Sequence, residues 1–260
     1  MREYQENSVV QAVDRISDSF HRLTLFAPQI AAAARPGQFV MASGGTTLDP
    51  LLRRPFSIHQ SYADGALQIL VKVIGRGTRY LTTLRPGDEL SLIGPLGRGF
   101  QLNTAGPVCL IGGGIGIAPL LFLAHQLPTG HEATGCTVFL GSQTRTDLIV
   151  LAEEFNQVGC KVHTATDDGS LGYHGYVSDL LAAALPGVKK VYTCGPHAMM
   201  TTIAGLCLAA DIACETSLEA HMACGLGACL GCTIHGSGGT YRHVCKHGPV
   251  FNAREVLWTQ

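Results

Sequence analysis

The sequence predicts an N-terminal antiparallel β-barrel, a parallel α/β domain and a small C-terminal unit, and three observations carry this. From Val9 to about Leu102, short apolar or alternating runs are separated by Pro, Gly and Asp turns, the pattern of antiparallel strands in a barrel or sandwich. From Gly106 the rhythm changes to strand, glycine loop and helix, which indicates a parallel sheet with covering helices. After about Ala213 regular periodicity gives way to a glycine- and cysteine-rich segment, too small to hold itself without a metal or a neighbour. These changes set boundaries of 1–102, 103–212 and 213–260.

The barrel strands are read from "FHRLTLFA", "GQFVMAS", "FSIHQSY", "ALQILVKVIG" and "DELSLIGPLG". A helix is expected from Gly77 to Thr83, just before the "RPGD" turn. In the second region "PVCLIGGGIGIAPLLFLAHQL", "CTVFLGSQTRTDLIVLAEEFNQV", "CKVHTATDD", "VSDLLAAAL" and "KKVYTCGPHAMMTTIAGLCLAA" supply alternating strands and helices.

At 260 residues and 46% hydrophobic content the chain is long enough for ordinary cores. Eighteen basic against 19 acidic residues give no nucleic-acid or anionic-membrane surface, so small molecules or other proteins are the expected partners. The longest apolar stretch, Ala105 to Leu127, is broken by glycine and proline and is no membrane span. The N-terminus has acidic residues and no apolar core, so no secretory signal is read and a cytoplasmic location is expected. In that reducing setting the ten cysteines are not a disulfide framework. Cys109, Cys136, Cys160, Cys194, Cys207 and Cys214 lie among apolar residues, where free cysteine behaves as a small hydrophobe.

Three constellations could carry chemistry. In "LLRRPFSIH", Arg54, Phe56 and Ser57 offer a cation, a flat ring and a hydroxyl at a strand end, suited to a pyrophosphate and an isoalloxazine ring. Gly77 and Thr78 would open a helix whose free N–H groups suit a phosphate. An ordinary arginine beside a strand and a Gly-Thr helix cap is the competing reading.

In "LIGGGIGIAPLL", Gly112, Gly113, Gly114 and Gly116 follow a buried strand and precede a helix that Pro119 opens, so backbone could approach a pyrophosphate. The acidic ribose ligand expected about 20 residues on is absent, and a turn that only permits close packing is the alternative. Cys194, Gly195 and Pro196 end another strand at the same sheet edge and would line the crevice, with Cys194 otherwise a core thiol. Arg145 could meet a 2′-phosphate or stand as a solvated loop arginine.

The third constellation is Cys224, Cys229, Cys232 and Cys245, spaced C-x4-C-x2-C-x12-C. That is the plant-type ligand pattern of a [2Fe–2S] cluster, whereas structural zinc favours two close-paired knuckles. Gly225, Gly227 and Gly231 would let the loop wrap and aim N–H groups at sulfur. His221, His235, His243 and His247 read as surface or outer groups, since four cysteines complete the set.

Together "RPFS", "GRGT", "PLGRGF", "GGGIGIAP" and "YTCGP" resemble the ferredoxin reductase superfamily, in which an FAD-binding barrel precedes a nicotinamide-binding α/β domain. "LEAHMACGLGACLGCTI" with "VCKHGPVF" narrows the resemblance to the electron-transfer subunits of class 1B, NAD-linked dihydroorotate dehydrogenases, over essentially the whole chain. The resemblance implies FAD contacts at Arg54, Pro55, Phe56, Ser57, Leu70, Val71, Lys72, Gly77 and Thr78. It implies cluster ligands at the four cysteines and NAD at Gly112 to Ile117 and Cys194 to Pro196, with Cys194 near the nicotinamide. Phe56, where the superfamily often has tyrosine, keeps the apolar contact without a hydroxyl.

The implied activity passes electrons from the FMN of a separate catalytic subunit through the cluster and FAD to NAD in pyrimidine (UMP) biosynthesis. No residue of this chain is required as acid or base, and the implied assembly is a heterotetramer of two of each subunit. Subunits of sulfite reductases, hydrogenases and bifurcating ferredoxin-NADP reductases are similar in their two front domains and C-terminal cluster. In the bifurcating enzymes the position matching Cys224 resembles an aspartate, so Cys224 and "CKHGPVF" favour the dihydroorotate subunit. A non-catalytic module with structural zinc is the reading from another class.

Overall fold

The computed structural model describes residues 2–43, 51–103, 106–127 and 135–258. Strands β1 (Tyr4–Arg15), β2 (Phe20–Phe26), β3 (Phe39–Ala42), β4 (Arg54–Ser61), β5 (Ala66–Lys72) and β6 (Glu89–Leu96) close a barrel in the order β1-β2-β5-β4-β3-β6. Every neighbouring pair is antiparallel. Alternation along the strands points Leu23, Leu25, Ile58, Leu67 and Ile69 inward, as a period of two residues requires. Helices α1 (Pro28–Ala33) and α2 (Arg76–Thr83) add Ile30 and Leu81 to that core. The second helix matches the expected one to within a residue.

The α/β unit is built on β7 (Val108–Gly113), β8 (Cys136–Ser142), β9 (Lys161–Thr166), β10 (Tyr173–His174), β11 (Lys190–Cys194) and β12 (Ala213–Ser217). Helices α3 (Ala118–Gln126), α4 (Ile149–Gln157), α5 (Val177–Ala184) and α6 (His197–Ala209) cover it. Leu110 and Val138 pack with α3 and α4, while Cys109, Ile111 and Phe139 pack with α5 and α6, so helices lie on both faces.

The sheet runs on past the boundary expected at residue 213. Strand β12 is an interior strand, parallel to β11 over Ala213–Ser217. Its sequence, ACETS, lacks an apolar run because Glu215 is buried against Lys190, Oε1 to Nζ 2.9 Å. Beyond it come the hairpin β13 (Thr233–His235) and β14 (Tyr241–His243), the short helix α7 (Val244–His247) and β15 (Val250–Asn252). Strand β15 returns to pair antiparallel with β12, so the sheet is mixed at this edge and runs β10-β9-β8-β7-β11-β12-β15.

Phe39, Met41 and Leu96 of the barrel share one core with Met200, Leu218, Cys232, Val244 and Cys245. A second seam joins the barrel to the α/β unit. His59 Nδ1 meets the Ala118 carbonyl at 2.8 Å, and Arg22 pairs with Glu154. No described helix is long and apolar enough to cross a membrane.

Candidate functional site

A cavity of about 430 Å3 opens at the barrel mouth, lined by Arg54, Pro55, Phe56, Ser57, Leu70, Lys72 and Thr78. The start of β4 lies beside the end of its antiparallel neighbour β5 here, which brings a motif near residue 55 beside one near residue 71. A Cβ on Gly77 would lie 2.8 Å from Arg54 Nε, so the guanidinium rests on the opening turn of α2. Thr78 Oγ1 fixes that turn by accepting from the N–H groups of Ile74 (3.0 Å) and Gly75 (3.1 Å). A cation and a helix N-terminus thus converge at one rim, the donor set a pyrophosphate needs. Val71 is buried in the barrel core and supports the wall.

The second cavity, about 520 Å3, lies at the carboxyl ends of β7, β8 and β9 and is lined by Gly113, Gly114 and Pro196, with Gly141, Asp147 and Asp167. The glycine turn divides its labour. A Cβ on Gly116 would sit 2.5 Å from the Cys194 backbone, and one on Gly113 2.6 Å from Met199 Sδ, whereas Gly114 has φ +54° and open space before it. Close packing therefore explains Gly116, with Gly112 held similarly against Ile117, and Gly114 is the residue that leaves room for a ligand. Gly195, at φ +155°, packs on Gly113.

Cys194 is buried at the end of β11 and lines neither cavity. Burial and the nearby Glu219 push its thiol upward, against a hydrogen bond from Ser217, so it stays protonated. Arg145 is exposed, on a short turn whose N–H donates to Ser170 Oγ at 2.9 Å.

The four cysteines stand as two pairs. Cys232 and Cys245 are buried with their sulfurs 3.3 Å apart, at the foot of α7. Cys224 and Cys229 lie nearer the surface, and the N–H groups of Leu226 and Cys229 both reach Cys224 Sγ at 3.4 Å. Gly227 N–H reaches Cys245 Sγ at 3.1 Å.

Burial opposes ionisation of Cys224, yet the N–H groups of Leu226, Cys229 and Ala228 hold its thiol down at about 6. Burial and the Cys232 thiol push Cys245 up to about 12, so a cation beside it would favour its thiolate. Among the described residues no three ligating side chains converge on a single point. Two pairs of thiols with N–H groups aimed at sulfur fit a polynuclear iron–sulfur group. The loop reaches this arrangement because Gly225 and Gly227 adopt φ of +72° and +82°.

Comparison with known proteins gives three matches in chain order: an oxidoreductase FAD-binding domain over residues 8–100, an oxidoreductase NAD-binding domain over 110–205, and the iron-sulfur cluster binding domain of dihydroorotate dehydrogenase B over 219–257. The dihydroorotate dehydrogenase B (NAD(+)) electron transfer subunit of Desulforamulus reducens is 41% identical over 96% of this chain and 97% of its own length. The chain belongs to this family of electron transfer subunits.

The Enterococcus faecalis electron transfer subunit is 37% identical over 99% of this chain and all of its own. Among solved structures, that of an NADH-dependent reduced ferredoxin-NADP oxidoreductase superposes with a TM-score of 0.86 at 28% identity, covering 97% of this chain and 90% of that one. The ferredoxin reductase of carbazole 1,9a-dioxygenase, at 22% identity and a TM-score of 0.67 over 82% of this chain and 67% of its own, shares the fold.

As an electron transfer subunit of dihydroorotate dehydrogenase B, the chain is an oxidoreductase subunit of pyrimidine biosynthesis with FAD-binding, NAD-binding and iron–sulfur-binding regions. Sequence reasoning missed Asp147, Asp167 and Glu219 in the two cavities. For Asp167 a signal existed, an acid ending a strand at the crevice edge, but on β9.

Proposed function

We propose that this chain carries electrons, one at a time, from the FMN of a separate catalytic subunit that oxidises dihydroorotate to orotate, and hands them to NAD+ as hydride. Cys224, Cys229, Cys232 and Cys245 would hold a [2Fe–2S] cluster, the barrel-mouth cavity FAD, and the glycine-turn cavity NAD. A flavin supplies exchange between single electrons and hydride, and a cluster supplies single-electron relay.

The observation that carries the reading is the order of the three sites. Gly225, next to Cys224, packs on Met41 of β3, while Phe39 of the same strand lines the barrel-mouth cavity. Lys72 in turn lines that cavity and the glycine-turn cavity.

Arg54 and the α2 N-terminus would hold the FAD pyrophosphate, Phe56 and Leu70 its apolar ring face, and Ser57 its polar edge. Gly114 would let the NAD pyrophosphate approach the start of the β7–α3 turn, where Pro196 also lines the cavity against Gly113. The outer thiol pair, with Cys229 exposed and Cys224 half-buried, would face the catalytic subunit, in a heterotetramer of two of each.

The test is co-expression with a class 1B catalytic subunit, recording the visible spectrum, the iron content and NAD-dependent dihydroorotate oxidation. The isolated chain is expected to oxidise NADH with an artificial acceptor and to turn over no dihydroorotate. A colourless protein containing zinc overturns the reading. The close fold match to a reduced ferredoxin-NADP oxidoreductase favours a second reading, exchange with ferredoxin. Its arm is the same chain assayed with reduced ferredoxin in place of the catalytic subunit.

A further inference from the structure

Two thiols outside the sites described so far lie within reach of each other. Cys136 opens β8 and Cys160 immediately precedes β9, and their sulfurs are 3.3 Å apart. We propose that this pair is a reversible oxidation site: hydrogen peroxide converts the two thiols to a Cys136–Cys160 disulfide, which staples β8 to β9 at their amino ends and stabilises the α/β unit. The glycine-turn cavity lies at the opposite, carboxyl ends of these strands, so the site is independent of what that cavity binds.

Strand register makes the link possible. Strands β8 and β9 pair in parallel with Thr137 beside Lys161, so one rung back Cys136 stands beside Cys160. Both pack on the same core, which contains Phe155 and Leu127, and they therefore share one face of the sheet. Neighbouring strands lie about 4.8 Å apart, inside the Cα separation of roughly 4.4–6.8 Å that a disulfide spans. The backbone is already fixed on both sides: Cys160 N–H donates to the Phe155 carbonyl at 3.2 Å, and Val108 N–H donates to the Gly135 carbonyl at 3.1 Å. Closing the bond asks the sulfurs to approach to about 2.0 Å, which side-chain rotation with a small strand shift supplies.

Access sets the pair apart from the other thiols outside the cluster loop. Cys109, Cys194, Cys207 and Cys214 are buried, whereas Cys136 is only half-buried and Cys160 beside it keeps 8% exposure. The Cys136 thiol donates to the Cys160 sulfur, which lowers the Cys160 pKa against its burial and, together with burial, raises that of Cys136. The shared proton thus sits on Cys136, and Cys160 gains the thiolate character that reaction with peroxide requires. The Cys160 thiolate attacks a peroxide oxygen, the O–O bond breaks, and a sulfenic acid and hydroxide result. The Cys136 sulfur then attacks the sulfenic sulfur. The S–S bond forms, the S–O bond breaks, and the Cys136 proton leaves with the hydroxyl as water. The hydroxide recovers the proton that Cys160 had released. Two thiols and one peroxide give one disulfide and two waters, the sulfurs losing two electrons and the peroxide gaining them.

The test uses the full chain, purified with its iron, and hydrogen peroxide in small molar excess. Free thiols are then alkylated, and the digest is read by mass spectrometry with and without dithiothreitol. A cross-linked Cys136–Cys160 peptide is expected in most chains, at least about tenfold above any link between the sealed thiols Cys207 and Cys214, and it should vanish on reduction. The Cys232 and Cys245 sulfurs are equally close, but a link there gives a different peptide and is accompanied by loss of iron.

Cys136→Ser keeps the attacking thiol and removes its resolving partner, so dimedone should label Cys160 as sulfenic acid at least about tenfold more than in the parent. Cys160→Ser should give no link. In the parent the link should raise the melting temperature by about 5 °C, a shift that dithiothreitol reverses and that neither variant shows. Full alkylation of Cys136 and Cys160 after peroxide overturns the proposal, as does a link found only at Cys232–Cys245 or Cys207–Cys214. A melting shift that persists in Cys136→Ser overturns the staple. The cross-link in the parent is read without any variant, so a serine replacement that fails to fold leaves the test intact.

Discussion

Gly225 packs so closely on Met41 that a Cβ there would lie 2.5 Å from Met41 Cγ. Its φ of +72° adds a second reason for glycine. Any branched side chain must therefore both strain the loop and push it off the barrel. Gly225→Val is expected to lower bound iron per chain at least about tenfold, since a displaced Cys224 would leave the proposed ligand set incomplete, while bound flavin falls less than twofold. Iron and flavin assays on the purified variant check this.

Lys190 and Glu215 form a buried pair inside the sheet, each also bonded to Gln101: Nζ to its carbonyl, Oε2 from its N–H, both 3.0 Å. Removing one partner strands the other charge. Glu215→Ala should destabilise the fold by about 3 kcal/mol, and the double replacement Lys190→Met with Glu215→Leu by less. Urea denaturation of the three proteins measures the difference, and a double variant no better than the single would contradict it.

Glu154 holds Arg22 and lies 3.5 Å from His59 across the seam between barrel and α/β unit. Burial tends to raise its pKa, but His59 and Arg22 outweigh it and the net shift is downward. A carboxylate with a depressed folded pKa contributes stability that is present above its unfolded value, near 4.5. That stability is lost as pH falls through the folded value. Stability should decline on acidification below about pH 4.5, and Glu154→Gln should flatten that decline. Melting temperatures from pH 3 to 7 would show it.

Asp147 and Asp167 put two carboxylates on the wall of the glycine-turn cavity, and Arg145 does not line it. A 2′-phosphate entering there meets like charge, which favours NADH over NADPH. Asp147 is engaged with the Ser17 and Ser19 hydroxyls, so Asp167 is the residue to change. Asp167→Ser should raise kcat/KM for NADPH about tenfold relative to NADH, worth roughly 1.4 kcal/mol. An unchanged ratio would remove Asp167 as a determinant.

Local signals in the chain carried the barrel, the parallel sheet with covering helices and the C-terminal iron–sulfur-binding region. Alternating strands, the "RPGD" turn and the C-x4-C-x2-C spacing are short-range patterns that tertiary packing had no reason to override. Strand β12 escaped because its buried positions are polar and satisfied from afar, by Lys190 and by Met200 Sδ, 3.2 Å from Thr216 Oγ1. Strand β15 escaped because three residues carry no usable period. Glu219 escaped for a different reason: the barrel residues that share its cavity, Arg54 and Lys72, are distant in sequence. The glycine turn looked like one motif, yet Gly116 serves packing and Gly114 serves open space, a division that only three-dimensional neighbours decide.

The antiparallel return of β15 onto β12 makes the segment from Leu218 to Pro249 a closed excursion whose two ends are pinned at strand spacing. Sheet pairing thus removes the loop-closure entropy of the whole excursion before any iron arrives. On the proposed ligand set, what would be left for iron to order is the short run around Cys224 and Cys229, since the Cys232 and Cys245 sulfurs already lie 3.3 Å apart. Assembly then has a natural sequence, with sheet first, inner thiol pair second and outer pair last, and the late step falls on the part of the loop nearest the surface.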